Sequence, residues 1–182
     1  MMTLEFFRDS LPDTAKDVRL NLGTVLTVDG APGLTEVQIN GVALASAYAA
    51  NCAPLIDILL PQVDGPTAQA AQAAATIMAM NNVYYRFVHL VGGAYKTMPA
   101  KLRMNVIAQP GIPKADFELM SMAVSAINGC GMCMEAHAHE LTQAGLTEQA
   151  VQSAVRIAAV VNATAQAVRL QTLGHPAVAA AA

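Results

Sequence analysis

The chain has 182 residues, a mass of 18.9 kDa and a net charge of −3. Hydrophobic residues make up 54% of it and charged residues only 13%, which excludes an intrinsically disordered protein because this much apolar surface offsets the entropy lost on ordering. Lys and Arg are scattered singly, so no basic face for nucleic acid is expected.

One compact all-α domain over residues 1–182 is the fold that the sequence predicts. Alanine, the strongest helix former, occurs 36 times, and alternation of apolar and polar residues is scarce. Thr67 is expected to cap a long helix that ends at a pair of glycines. The predicted helices of the first half cover residues 3–10, 12–27, 34–51, 53–63 and 67–91.

Four more helices are predicted in the second half, and a glycine turn separates two of them. A short helix over 99–108 precedes a segment rich in Pro and Gly, and the next helix runs to Ile127. After Asn128-Gly129 a new helix begins at Cys130 and ends near Gly145, and a last long helix starts at Thr147. Residues 174–182 are expected to form a frayed tail.

Location and assembly follow from the distribution of apolar residues. The longest uncharged stretches are interrupted by Gln, Asn, Pro or Gly, so no membrane span is expected. The first residues lack the pattern of a secretory signal, which predicts a cytoplasmic protein. Mean hydropathy of +0.41 with so few charges predicts that part of the surface is buried in a homo-oligomer.

The most informative segment contains two cysteines and a histidine. Cys130 and Cys133 lie three residues apart at the predicted start of a helix, so their side chains share a face and can reach disulfide distance. Unpaired N–H groups and the positive end of the helix dipole favour their thiolates. His137, on the same face, is predicted to take the proton of Cys133 as a general base.

Glu118, on the preceding predicted helix, is the candidate for a residue that orients His137. The Asn128-Gly129 turn can fold this helix back against the one that carries the cysteines, which would align carboxylate, imidazole and thiol. The alternative for Glu118 is an ordinary carboxylate on a solvated face.

Two other interpretations of the cysteine pair stay open. The cysteines could be buried residues that only pack. They could also bind zinc together with His137 and His139, although His139 is rotated by about 200° from His137 on a continuous helix, so the four donors cannot converge on one ion.

The remaining cysteine and histidines carry weaker signals. Cys52 has no basic residue beside it and is predicted to pack in the core. His89 follows an aromatic cluster and is predicted to be a core or subunit-contact residue. His139 is expected to be solvated, and His175 belongs to the tail.

Six segments along nearly the whole chain resemble, in order, the pattern of the alkyl hydroperoxide reductase D family, within the wider carboxymuconolactone decarboxylase superfamily. They cover residues 12–22, 80–86, 102–105, 110–115, 117–119 and 123–130. The resemblance implies an all-helical homotrimer and a thiol peroxidase that binds no haem, flavin or metal. It also implies electrons from dihydrolipoyl groups of a lipoylated dihydrolipoamide acyltransferase, a peroxiredoxin partner of the alkyl hydroperoxide reductase C type, and weak reduction of alkyl hydroperoxides.

The functional residues of that family map onto Glu118, Cys130, Cys133 and His137. The resemblance implies that Cys133 attacks the peroxide and forms a sulfenic acid, which Cys130 resolves to a disulfide. Met132 departs from the pattern, because members often carry a second histidine there. Its presence predicts slower direct peroxide turnover than disulfide exchange. Rival functions are a lactone decarboxylase of the same superfamily, a non-catalytic metal-binding adaptor and a general disulfide reductase.

Overall fold

The computed structural model describes residues 2–173. Within this range the chain forms α-helices and three short 3-10 helices and contains no β-strand, so the predicted all-α class is confirmed. The predicted tail and His175 lie outside the described residues. The α-helices of this range are α1 (Leu4–Asp9), α2 (Lys16–Val25), α3 (Glu36–Ala49), α4 (Ala53–Leu59), α5 (Gly65–Val91), α6 (Asn105–Ala108), α7 (Lys114–Ile127), α8 (Gly131–Gln143) and α9 (Glu148–Leu173).

Helices α3 and α7 form the centre of the bundle. Helix α7 packs against α3, α5, α8 and α9, and all of its residues from 117 to 125 are buried. A helix that is apolar around most of its circumference is typical of such a central position. Gly41 lets α3 approach α7 closely, because a Cβ atom there would lie only 2.5 Å from Cε of Met120.

Three predicted helix boundaries were wrong. Helix α5 begins at Gly65 rather than at Thr67, because the Asp64 carboxylate caps it by accepting a hydrogen bond of 2.8 Å from the Thr67 N–H. The predicted helix over 99–108 is helical only in α6, since the φ angle of +53° at Lys101 is incompatible with a helix. The segment 12–27 divides at Ala15, whose backbone leaves the helical region.

The turn between α7 and α8 follows the prediction. Gly129 has a φ of +69°, a left-handed conformation that glycine adopts without steric cost, and α8 starts two residues later. The turn places α8 alongside α7. No helix between residues 2 and 173 combines the length and apolar character that crossing a bilayer requires.

Candidate active site

Cys130 and Cys133 are joined by a disulfide at the N-terminus of α8. Their Cα atoms lie 5.3 Å apart, and Cys130 is the N-cap residue, whose Sγ accepts a hydrogen bond of 3.3 Å from the Cys133 N–H. Cys130 is fully buried, whereas Cys133 keeps 7% of its surface exposed. The positive end of the helix dipole would stabilise a thiolate at this position once the disulfide is reduced.

His137 and Glu118 form a buried pair on adjacent helices. Nδ1 of His137 lies 2.6 Å from Oε2 of Glu118, and α7 packs on α8 to bring the two side chains together. Glu118 is buried, so the alternative that places it on a solvated face is wrong. A carboxylate that accepts from Nδ1–H leaves Nε2 as the basic nitrogen of the neutral imidazole.

Cys133 and His137 open into one cavity of about 280 Å³ between α5, α6 and α8. Cys130 does not line it, so Cys133 is the sulfur that a molecule in this cavity can reach. The other walls are mainly apolar, with Met78, Met104 and Ile107 among them. The cavity therefore suits a small molecule with an apolar body.

Asn81 and Tyr85 also line this cavity, and the sequence did not predict either of them as a site residue. Asn81 is buried and Oδ1 of its side chain has no hydrogen-bond partner. Tyr85 directs its hydroxyl towards Sδ of Met104 at 3.9 Å. The only sequence signal was their place in the segment 80–86, which does not reveal that this part of α5 faces α8.

A hydrogen-bonded network fixes the turn that precedes Cys130. Asn82 on α5 donates from Nδ2 to Oγ of Ser125 at 2.9 Å, and its Oδ1 accepts from Nδ2 of Asn128 at 2.9 Å. Arg86 donates to the Asn128 carbonyl at 2.6 Å. Helix α5 therefore anchors both the end of α7 and the residues that lead into the cysteine pair.

An ion pair links the start of α7 to the last turns of α8 at the surface. Nζ of Lys114 lies 2.7 Å from Oε2 of Glu140. The hydrogen bond and charge of Glu140 raise the pKa of Lys114, with a smaller contribution from Glu118, and Lys114 lowers the pKa of Glu140. The pair is exposed, so solvent screens most of its contribution to stability.

The weaker candidates lie away from the cavity. Cys52 is buried in the core as predicted, and burial raises the pKa of its thiol. His139 is exposed on α8. His89 is also exposed on the single chain, so its predicted place in the core is wrong, because the last turns of α5 extend beyond the core, and its place in a subunit contact stays a prediction. Within residues 2–173 no group of three or more His, Cys, Asp or Glu side chains is arranged to hold a metal ion.

Comparisons with known proteins cover both the site and most of the chain. Residues 93–172, which include the four candidate residues, match the carboxymuconolactone decarboxylase family. A protein of Coxiella burnetii named alkyl hydroperoxide reductase AhpD is 54% identical over 168 residues, or 90% of this chain and 95% of that protein. Proteins of the same name from Methylocella silvestris and Beijerinckia indica are 52% and 50% identical over 177 residues, or 94% of this chain and 98% and 97% of those proteins.

Proposed function

The chain belongs to the alkyl hydroperoxide reductase D family of the carboxymuconolactone decarboxylase superfamily, and from this membership we propose that it is an antioxidant enzyme that reduces organic hydroperoxides through Cys130 and Cys133. One observation carries the proposal. Cys133 and His137 face the same apolar cavity, and the Glu118 carboxylate lies 2.6 Å from the imidazole on its buried side. This is the arrangement of a nucleophile, a base and a group that orients the base.

In the first step, His137 takes the proton of the Cys133 thiol, and the thiolate attacks the distal oxygen of the hydroperoxide. The S–O bond forms as the O–O bond breaks, and the alkoxide leaves with the proton from the imidazolium as an alcohol. Glu118 stabilises the imidazolium between the two transfers. Cys133 is oxidised to a sulfenic acid and the hydroperoxide is reduced.

In the second step, the Cys130 thiol attacks the sulfenic sulfur of Cys133. A disulfide forms and the hydroxyl leaves as water. The disulfide present in the structure is the product that this step requires.

Dihydrolipoyl groups of a lipoylated dihydrolipoamide acyltransferase restore the two thiols by thiol–disulfide exchange and become lipoyl disulfides. The same dithiol passes electrons to a peroxiredoxin of the alkyl hydroperoxide reductase C type.

Met132 supplies no proton-transfer group, so disulfide exchange is faster than direct peroxide reduction. A cycle through free thiols is typical of a reducing compartment, so we propose that the protein acts in the cytoplasm and without a bound cofactor.

The catalytic unit is a homotrimer. Support comes from the α5 apolar face, which consists of Val83, Phe87, Leu90 and Val91 and is exposed on the single chain. These residues follow the spacing of one helix face, and a contiguous exposed apolar surface is typical of a subunit interface.

The decisive experiment mixes the purified protein with dihydrolipoamide and cumene hydroperoxide. We expect one lipoamide to form for each hydroperoxide consumed, no turnover in Cys130→Ser or Cys133→Ser, and unchanged turnover in the control Cys52→Ser. Thioredoxin as a better donor than dihydrolipoamide would indicate a general disulfide reductase. Full lactone decarboxylation by the Cys130→Ser, Cys133→Ser double variant, or stoichiometric zinc without dithiol-dependent peroxide loss, would support the other rivals.

A further inference from the structure

Asn81 is a buried carboxamide that the fold leaves unpartnered at the cavity of Cys133 and His137. The residue keeps only 4% of its surface exposed, and its Oδ1 makes no hydrogen bond. The neighbouring Asn82 is also buried, at 1% exposure, yet both ends of its carboxamide are paired within the structural network. The fold therefore provides hydrogen-bond partners for Asn82, which holds the structure together. It provides none for Oδ1 of Asn81, the residue that lines the cavity.

A buried acceptor without a partner destabilises the protein unless a bound molecule supplies a donor. The apolar walls of this cavity, such as Met78 and Met104, have no strong donor to offer, and the Tyr85 hydroxyl, which also lines the cavity, points to Sδ of Met104 instead. Nδ1 of His137 is already engaged by Glu118. Neither end of the Asn81 carboxamide is hydrogen-bonded within residues 2–173, so rotation of the amide can turn Oδ1 from its buried position towards a ligand that enters the cavity.

The two proposed substrates differ in how strongly they donate hydrogen bonds. A hydroperoxide carries an O–H donor that loses its water when the molecule enters an apolar cavity, and this donor needs an acceptor there. A dihydrolipoyl group presents S–H groups, which are weak donors and lose little in the same environment. An unpartnered carboxamide oxygen therefore matches the oxygen substrate and not the sulfur substrate.

We propose that Asn81 is a substrate-binding residue that accepts a hydrogen bond from the hydroperoxide O–H and presents the distal oxygen to Cys133, while the organic group lies against the methionines and Ile107. The inference rests on the proposed function. In the balanced reaction the O–H hydrogen stays on the distal oxygen as this oxygen moves to sulfur, and the alkoxide receives its proton from His137. The contact with Asn81 is therefore retained from the bound hydroperoxide to the sulfenic acid.

The test is the substitution Asn81→Leu, which removes both polar atoms and keeps the volume similar, with Asn162→Leu on the exposed surface of α9 as the matched control. Two rates are measured on the full chain: oxidation of the reduced protein by cumene hydroperoxide, and opening of the disulfide by dihydrolipoamide. We expect the hydroperoxide kcat/KM to fall roughly 10- to 100-fold, the cost of one hydrogen bond to a buried group. The rate of disulfide opening and the control variant stay unchanged.

Thermal unfolding gives a readout independent of activity. Because Asn81→Leu replaces an unpartnered polar group by an apolar one, its melting temperature should equal or exceed that of the wild type. A lower melting temperature with equal loss of both rates would assign Asn81 a structural role and overturn the proposal, as would an unchanged hydroperoxide rate. If Asn81→Leu does not fold, Asn81→Ala is judged by the same two rates. A wild-type protein whose disulfide is opened by dihydrolipoamide, but whose thiols are not oxidised by the hydroperoxide, would contradict the proposed function itself.

Discussion

His137 and Glu118 meet through a contact of 2.6 Å between Nδ1 and Oε2, and both side chains are buried where α7 packs on α8. The contact joins two helices across a turn, so the orientation of the imidazole depends on the fold and not on α8 alone. A buried carboxylate that accepts from Nδ1–H favours one tautomer and fixes the orientation of the ring.

The substitution Glu118→Gln should lower kcat/KM for cumene hydroperoxide roughly 10- to 100-fold, because a neutral amide no longer stabilises the imidazolium that forms when His137 accepts the thiol proton. Stopped-flow oxidation of the reduced protein measures this rate. The matched control is Glu135→Gln, which changes an exposed carboxylate on α8 and should behave as wild type. Equal rates in both variants would remove Glu118 from the mechanism.

In the reduced protein, iodoacetamide should modify Cys133 near neutral pH and leave Cys52 unmodified. The dipole of α8 and His137 favour the Cys133 thiolate, whereas burial raises the pKa of Cys52 above its ordinary value of 9.0, so very little Cys52 thiolate forms near neutral pH. Mass spectrometry of each cysteine across a pH series measures the two profiles.

In the same experiment, His137→Phe should shift the Cys133 profile to higher pH, and the control His139→Phe, which alters an exposed ring two residues away, should not. A Cys133 thiol that reacts no faster than Cys52 at pH 7 would contradict the activated-thiol mechanism.

The part of the site that the sequence made predictable lies on one helix or across one tight turn. Cys130, Cys133 and His137 share a face because helical geometry fixes the position of residues three and four apart. Glu118 could be added because Asn128-Gly129 predicts a reversal of the chain, and Gly129 adopts the expected left-handed conformation. Periodicity and turn chemistry are local properties, and they determine this geometry without knowledge of the rest of the fold.

The cavity was not predictable, because its opposite wall comes from elements distant in sequence. Asn81 belongs to α5 and Met104 lies just before α6, and neither residue carries a signal that it faces Cys133. Helix caps show that sequence alone can also fail to decide between two neighbouring residues. Both Asp64 and Thr67 are good capping residues, and only the backbone conformation shows that Asp64 is the cap.

The substitution Asp64→Ala should lower the melting temperature at neutral pH, because it removes the acceptor of the Thr67 N–H at the start of α5. The hydrogen bonds from Thr67 lower the pKa of the Asp64 carboxyl in the folded protein below its ordinary value of 3.8. The folded state thus binds this proton less tightly than the unfolded state, so the stabilisation is present above pH 3.8 and is lost as the pH falls through the folded-state pKa.

Thermal unfolding of wild type and Asp64→Ala over a pH series measures this effect, and the gap in melting temperature should narrow towards acid pH. The control is Asp57→Ala, which changes an exposed aspartate in α4. Its melting temperature should differ only slightly from that of the wild type, by an amount that does not depend on pH. A gap that widens on acidification would show that the carboxylate form is not what stabilises the helix.

The substitution Asn82→Ala should reduce the free energy of unfolding by about 1–3 kcal/mol, because it leaves the buried Ser125 and the half-buried Asn128 without their hydrogen bonds to this side chain. Urea unfolding monitored by circular dichroism measures the change, with Asn162→Ala on α9 as the exposed control. A loss no larger than that of the control would mean that the network does not hold the turn before Cys130.

The α5 apolar face gives a direct test of the proposed homotrimer. Leu90 is 75% exposed on the single chain, and burial of this face between subunits would remove its apolar side chains from water. Sedimentation equilibrium should give the wild type a mass of three times the 18.9 kDa chain. The variant Leu90→Glu should sediment as a single chain, because a buried carboxylate without a partner destabilises the interface.

Val37→Glu is the matched control, since Val37 is 60% exposed on α3 and lies outside this face, and it should remain trimeric. A Leu90→Glu protein that keeps the wild-type mass would exclude this face as the subunit contact, whatever the activity of the enzyme.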